Sequence, residues 1–202
     1  MLQPGGYEMA GGEAAMGMRS SWQKSVARVV FGVIWGIDAA LKWSPAFRAD
    51  YLGILRDAAK GQPAWLEPWF HFWVSLVGPR VGMFAYATAV TETVIALALI
   101  LGVARKAAYW LTVLFGLLIW STAEGFGGPY TAGSTDVGTG IIYAMAGVFL
   151  LAINAAAGTS QYSLDAWLER RIPWWGVVAE VGGGRGRQTS TFSAPPAEAR
   201  SA

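Results

Sequence analysis

Glu92 stands near the middle of an apolar run from Val81 to Val103. On insertion scales an ionisable side chain at membrane depth costs about 2.5 to 3.5 kcal/mol, so it must be paired, neutral or turned toward a wet cavity. Such a carboxyl either exchanges protons and binds a ligand, or hydrogen-bonds neighbouring helices for packing alone. Asp38 and Lys42 lie four residues apart with the acid first, the favourable order for an intrahelical ion pair. They are either only that pair or part of a larger charged mouth with Arg80, Glu124 and Asp136. The stretch from Glu124 to Asp136, with Tyr130 at its centre, is rich in glycine, which permits sharp turns and close backbone approach to a ligand. Asp136, following Ser134 and Thr135, also has the residue type of a helix cap. The candidate catalytic residues are therefore Glu92 and Asp38. The substrate-binding candidates are Lys42, Arg80, Glu124, Tyr130 and Asp136.

Other chemistry is scarce. The chain has 202 residues, no cysteine and one histidine, which removes disulfides, thiolate nucleophiles and cysteine-ligated clusters. One histidine is too few for a bis-histidine haem within the chain and makes a poor start for an all-protein zinc site. No haem, iron–sulfur or zinc site is expected. That histidine, His71, stands among tryptophans and phenylalanines, where interfacial hydrogen bonding is its expected role. A net charge of +2 without a long basic run gives no nucleic-acid footprint.

The elements that must position these residues are membrane helices. Hydrophobic residues make up 54% of the chain and charged residues 14%, against about 25% charged in soluble domains. The mean hydropathy is +0.38. Four apolar segments, about 25–43, 81–103, 107–123 and 136–156, read as spans of an all-α membrane bundle, with short turns forcing antiparallel neighbours. Arg105 and Lys106 between spans two and three, with Arg170, Arg171, Arg185 and Arg187 after span four, place both termini in the cytoplasm. Residues 1–24 read as a flexible cytoplasmic arm, 25–158 as the membrane domain, 159–180 as a cytoplasmic amphipathic segment and 181–202 as a disordered tail. In the segment 159–180, Leu164, Trp167 and Leu168 form the apolar face and Asp165, Glu169, Arg170 and Arg171 the polar one.

The outer loop from Ser44 to Arg80 predicts an amphipathic helix on Phe47, Tyr51, Leu52, Leu55 and Ala59, lying on the membrane or on the bundle. Next comes an aromatic cluster, Trp65, Trp69, Phe70, Phe72 and Trp73, interrupted by Glu67, Pro68 and His71 and too short for a fifth span. It either anchors the chain at headgroup level or flanks a quinone headgroup. Gly78-Pro79 bends the chain into the second span. Gly32, Gly36 and Ala40 make a small-residue stripe for close helix packing within the bundle or with a partner.

Several motifs together resemble the DoxX superfamily. They are Phe31-Gly-Val-Ile-Trp-Gly-Ile-Asp-Ala-Ala-Leu-Lys42, the central acid Glu92 leading to Leu101-Gly and the basic turn at Lys106, and four spans in about 150 residues. Glu124-Gly-Phe-Gly-Gly-Pro-Tyr-Thr and Asp136-Val-Gly-Thr-Gly are similar to the DoxD branch, the small membrane subunit of thiosulfate:quinone oxidoreductase. The resemblance covers about residues 25–158. It implies oxidation of thiosulfate to tetrathionate with electrons passing to a membrane quinone, a second protein subunit, and a site in the bacterial cytoplasmic membrane. Lys42 and Arg80 would then attract the dianion, while Glu92, Asp38 or Glu124 would accept protons or hydrogen-bond the quinone. A non-catalytic scaffold recruiting a soluble redox partner and a small-solute or proton pathway remain alternatives, and homo-oligomerisation is open.

Overall fold

The computed structural model describes residues 6–128, 137–157 and 162–181. Tyr130, Asp136 and most of the C-terminal tail lie outside them. Every regular element among the described residues is helical: α1 (Gly6–Lys42), α2 (Pro45–Ala58), α3 (Glu67–Val77), α4 (Val81–Leu101), α5 (Arg105–Thr122), α6 (Thr139–Ala157), α7 (Leu164–Arg171) and α8 (Gly176–Ala179). The first helix starts at Gly6, well inside the stretch read from sequence as an arm.

The long helices pack chiefly as two pairs, α1 on α4 and α5 on α6, with α4 touching α5. Small residues set both crossings. A methyl group on Gly32 would come within 2.9 Å of Leu99 and Ile100 on α4, so part of the predicted small-residue stripe packs α1 within the molecule. A methyl group on Gly116 of α5 would lie 2.8 Å from the Gly140 carbonyl on α6. The shared core joins all four helices through Trp35, Ile95, Leu99, Tyr109 and Leu150. Their outer faces carry exposed apolar side chains, among them Ile37, Leu41, Val90, Leu97, Leu114 and Phe149. Among the described residues two runs are long and apolar enough to cross a membrane, Ala64–Leu101 and Thr139–Ala156. The four expected spans reduce to these two by that measure because α1 carries Arg28, Asp38 and Lys42, and α5 begins with Arg105 and Lys106.

The helices of the long loop obey local rules. Ser44 Oγ accepts the Phe47 N–H at 3.1 Å and Pro45 occupies the first turn, so α2 starts where a cap and a proline coincide. In α3, Glu67 and Pro68 begin the helix instead of interrupting it, since proline is tolerated in a first turn. A 3-10 turn, Gly78–Arg80, separates α3 from α4, where a bend was expected.

At the other end, residues 162–181 fold back onto the α4–α5 turn. Asp165 accepts the Ala104 and Arg105 N–H groups at 2.7 and 3.0 Å, the Arg105 Nε at 2.9 Å and the Trp175 indole N–H at 2.7 Å. Arg105 Nη2 also reaches Glu180 Oε1 at 2.6 Å. Arg28 donates to the carbonyls of Leu99, Ile100 and Tyr162, placing a cation at the C-terminal end of α4. The predicted amphipathic helix thus exists as α7 with Arg170 and Arg171 exposed as expected, but Asp165 is 0% exposed while Leu164 and Trp167 stay exposed. A carboxylate that caps α5 and neutralises a buried guanidinium outweighs two apolar side chains left outside.

Losing Asp165 leaves Arg105 with Glu180 and Glu169 but strips the Ala104, Arg105 and Trp175 N–H groups of their acceptor, at about 1–3 kcal/mol in all. Asp165→Ala should therefore lower thermal stability by that amount in detergent, and limited proteolysis should cut between residues 157 and 182 much faster than in the parent protein. An unchanged melting curve with unchanged protection would remove the clamp from this account.

Candidate functional site

Opposite the clamp, the helices part around a cavity of about 530 Å³. Its walls bring together Asp38 and Lys42 of α1, Glu92 of α4 and Glu124 beyond α5, with Tyr51 of α2 and Trp73 of α3 closing it from the loop side. Four of the seven residues named from sequence therefore converge. Tyr130 and Asp136 are outside the described residues. Arg80 is exposed at the end of the 3-10 turn and does not line the cavity.

Glu92 is 0% exposed, and among the described residues neither carboxyl oxygen has a hydrogen-bond partner. The charges that act on it are Lys42 and Asp38. Those two form the intrahelical pair that their spacing predicts, Nζ to Oδ1 3.1 Å, with both side chains about a quarter exposed. Lys42 also lies over the Phe47 ring, 5.3 Å from its centroid.

Glu124 has a different job from the one its position suggested. Its Oε1 accepts the Thr139 N–H at 3.1 Å and its Oε2 the Gly140 N–H at 2.8 Å. It therefore caps α6 across the intervening loop, the role that the sequence suggested for Asp136, and the positive end of the helix dipole favours the carboxylate there. Gly127 and Gly138, with φ of +75° and +94°, provide turns near this cap that other residues rarely adopt.

The sequence pattern did not single out Tyr51, Trp73 or Tyr143. Tyr51 sits on the predicted amphipathic face and shares a 3.0 Å hydrogen bond with Thr88 Oγ1. Trp73 belongs to the aromatic cluster, and its indole nitrogen is buried without a partner among the described residues. Tyr143 lines the cavity and packs against Trp35, ring centroids 4.9 Å apart. Of the rest of the cluster, Trp69 and Phe70 are tied to the bundle, while Trp65 and Phe72 are exposed: Trp69 donates to the Ser121 carbonyl at 2.8 Å, and Phe126 contacts Trp69, Phe70 and Trp120. His71 is exposed.

The cavity can therefore hold a mostly apolar molecule, and among the polar side chains that line it Glu92 and Trp73 carry a carboxyl and an indole N–H without partners. Its size falls in the range of about 300–1,000 Å³ typical of small-molecule sites. No protein-family model, curated protein or solved structure matches this chain.

Glu124→Ala should destabilise the protein by about 1 kcal/mol, the typical cost of a lost helix cap. Hydrogen exchange should locate that loss in the first turn of α6. Fast exchange spread evenly over the four long helices would contradict a capping role.

Proposed function

We propose that this protein is a multi-pass membrane protein, a DoxX-type four-helix bundle with a DoxD-like loop, that serves as the quinone-binding subunit of a redox system in the bacterial cytoplasmic membrane. The observation that carries the ligand part is Glu92, buried without a partner on the wall of a largely apolar cavity. The membrane part is supported by the exposed apolar side chains on all four long helices, a surface too extensive for a soluble monomer. The orientation is supported by the basic residues. Arg105, Lys106, Arg170 and Arg171 gather at the clamp end, which the positive-inside rule assigns to the cytoplasm, so that the cavity faces outward.

A membrane quinone supplies two-electron, two-proton redox chemistry and has the apolar body and polar edge that such a cavity accommodates. Glu92 holds or accepts a proton at the headgroup, while the surrounding aromatic and aliphatic side chains exclude water. Two thiosulfate ions yield one tetrathionate and two electrons, and a quinone taking those electrons with two protons becomes a hydroquinone. The chain has no cysteine to carry sulfur covalently. The cavity wall also presents Asp38, Glu92 and Glu124 against a single lysine that is already paired. That balance repels a dianion, and Arg80 lies elsewhere, so thiosulfate oxidation falls to a second subunit in this reading.

In membranes carrying the protein with its redox partner, Glu92→Gln should slow thiosulfate-driven reduction of a quinone analogue by about 100-fold, the lower range for loss of a general acid or base. Equal turnover at equal expression would refute the assignment. Lys42→Ala tests where thiosulfate binds. The apparent KM for thiosulfate should stay within about twofold if the partner binds it, whereas a large rise in KM at constant kcat would return the dianion to this mouth. A purified protein that binds no quinone but retains a soluble partner would favour the scaffold.

A further inference from the structure

Among the described residues, two that line the cavity carry buried polar atoms without partners: Glu92 its carboxyl oxygens and Trp73 its indole nitrogen. The two come from different elements, α4 and α3. Leaving a buried polar group unsatisfied costs about 1–3 kcal/mol each. Trp69, one helical turn earlier on α3, shows the ordinary outcome, since its N–H is satisfied by the Ser121 carbonyl. Trp73 instead lies on the cavity wall, against the same apolar lining as Glu92.

From this pairing we infer that Trp73 is a specificity-determining residue, whose indole N–H holds an oxygen acceptor on the ligand while Glu92 holds a hydroxyl elsewhere on it. This rests on the reading of the cavity as a quinone site. The indole N–H is a donor only and never an acceptor, whereas a carboxyl takes either part according to its protonation. The two ends of the ligand are therefore distinguishable: one requires an acceptor oxygen, and the other matches Glu92. A hydroquinone satisfies both. A phenol with a single oxygen leaves Trp73 bare, and a simple alkyl cation offers it nothing to bind. Helix α3 thereby becomes a wall of the site in addition to packing on α2.

The test uses the full chain in lipid nanodiscs and calorimetric titration with three ligands bearing one decyl chain: a hydroquinone, its monomethyl ether on the oxygen remote from the chain, and the phenol lacking that oxygen. The ether keeps an acceptor but loses a donor. The protein should bind hydroquinone and ether within about threefold of each other, and the phenol about five- to tenfold more weakly, as one uncharged hydrogen bond predicts. Trp73→Phe should weaken the first two to the level of the phenol and leave the phenol unchanged. If hydroquinone fails to bind at all, the quinone reading itself falls. If it binds but the phenol binds equally, or if the gap survives in Trp73→Phe, the quinone site stands and the role of Trp73 is overturned. Should Trp73→Phe fail to fold, the ligand series on the parent protein still decides. An ether bound as weakly as the phenol would show that the second contact requires a ligand donor, which an indole cannot satisfy.

Discussion

A charged or polar group held among apolar helices must find a partner, and the protein meets this demand differently at its two ends. At the α4–α5 turn the demand is met several times over. Arg105 is 3% exposed and engages both Asp165 and Glu180, and Asp165 receives two backbone N–H groups as well as an indole N–H. Buried ion pairs of this kind add little net stability relative to apolar substitutes, but they are costly to break and so fix one arrangement. The opposite end leaves Glu92 unsatisfied. The fully bonded end holds the four helices in place, and the cavity is where they part.

The cavity is lined mainly by the four long helices, and the segments between them close it on one side. Helix α2 contributes Phe47, Tyr51 and Leu55, and α3 contributes Trp73 and Val77. These short helices are positioned by polar contacts at their own ends and sides: the Ser44 cap, the Tyr51–Thr88 bond, and Trp69 on the Ser121 carbonyl. The Gln62 side chain donates to the Gly125 carbonyl at 2.8 Å and joins the long loop to the turn after α5. Polar contacts at the margin of the cavity thus leave its interior mostly apolar.

What the sequence revealed depended on how local the signal was. Glu92 was legible because a lone acid in an uncharged run contradicts its surroundings, and Asp38 with Lys42 because four residues make one helical turn. The bend at Gly78-Pro79 and the amphipathic α2 followed from residue type and period. The capping role of Glu124 was missed because its partners, Thr139 and Gly140, lie across a loop, and cap rules look only at adjacent residues. Asp165 was assigned to a solvated face because an eight-residue helix has too few turns to distinguish a buried acid from an exposed one by periodicity. Arg80 was grouped with the mouth by its position at the start of a span, although nothing in spacing says which way a side chain on a 3-10 turn points. Trp73 was seen as one aromatic among many, since its lack of a partner is a property of three dimensions alone.

The clamp also bears on the order in which the protein can be completed during synthesis. Arg105 opens α5, but its carboxylate partners are Asp165 and Glu180, which emerge from the ribosome only after α5 and α6 have been made. Until then its guanidinium is best solvated by water, which favours an exposed α4–α5 turn while the later helices are made. Closing such distant contacts carries a loop entropy cost that local ones do not. The segment 162–181 therefore acts as a latch on the long helices, and a chain truncated before residue 165 would leave Arg105 without its carboxylate partners.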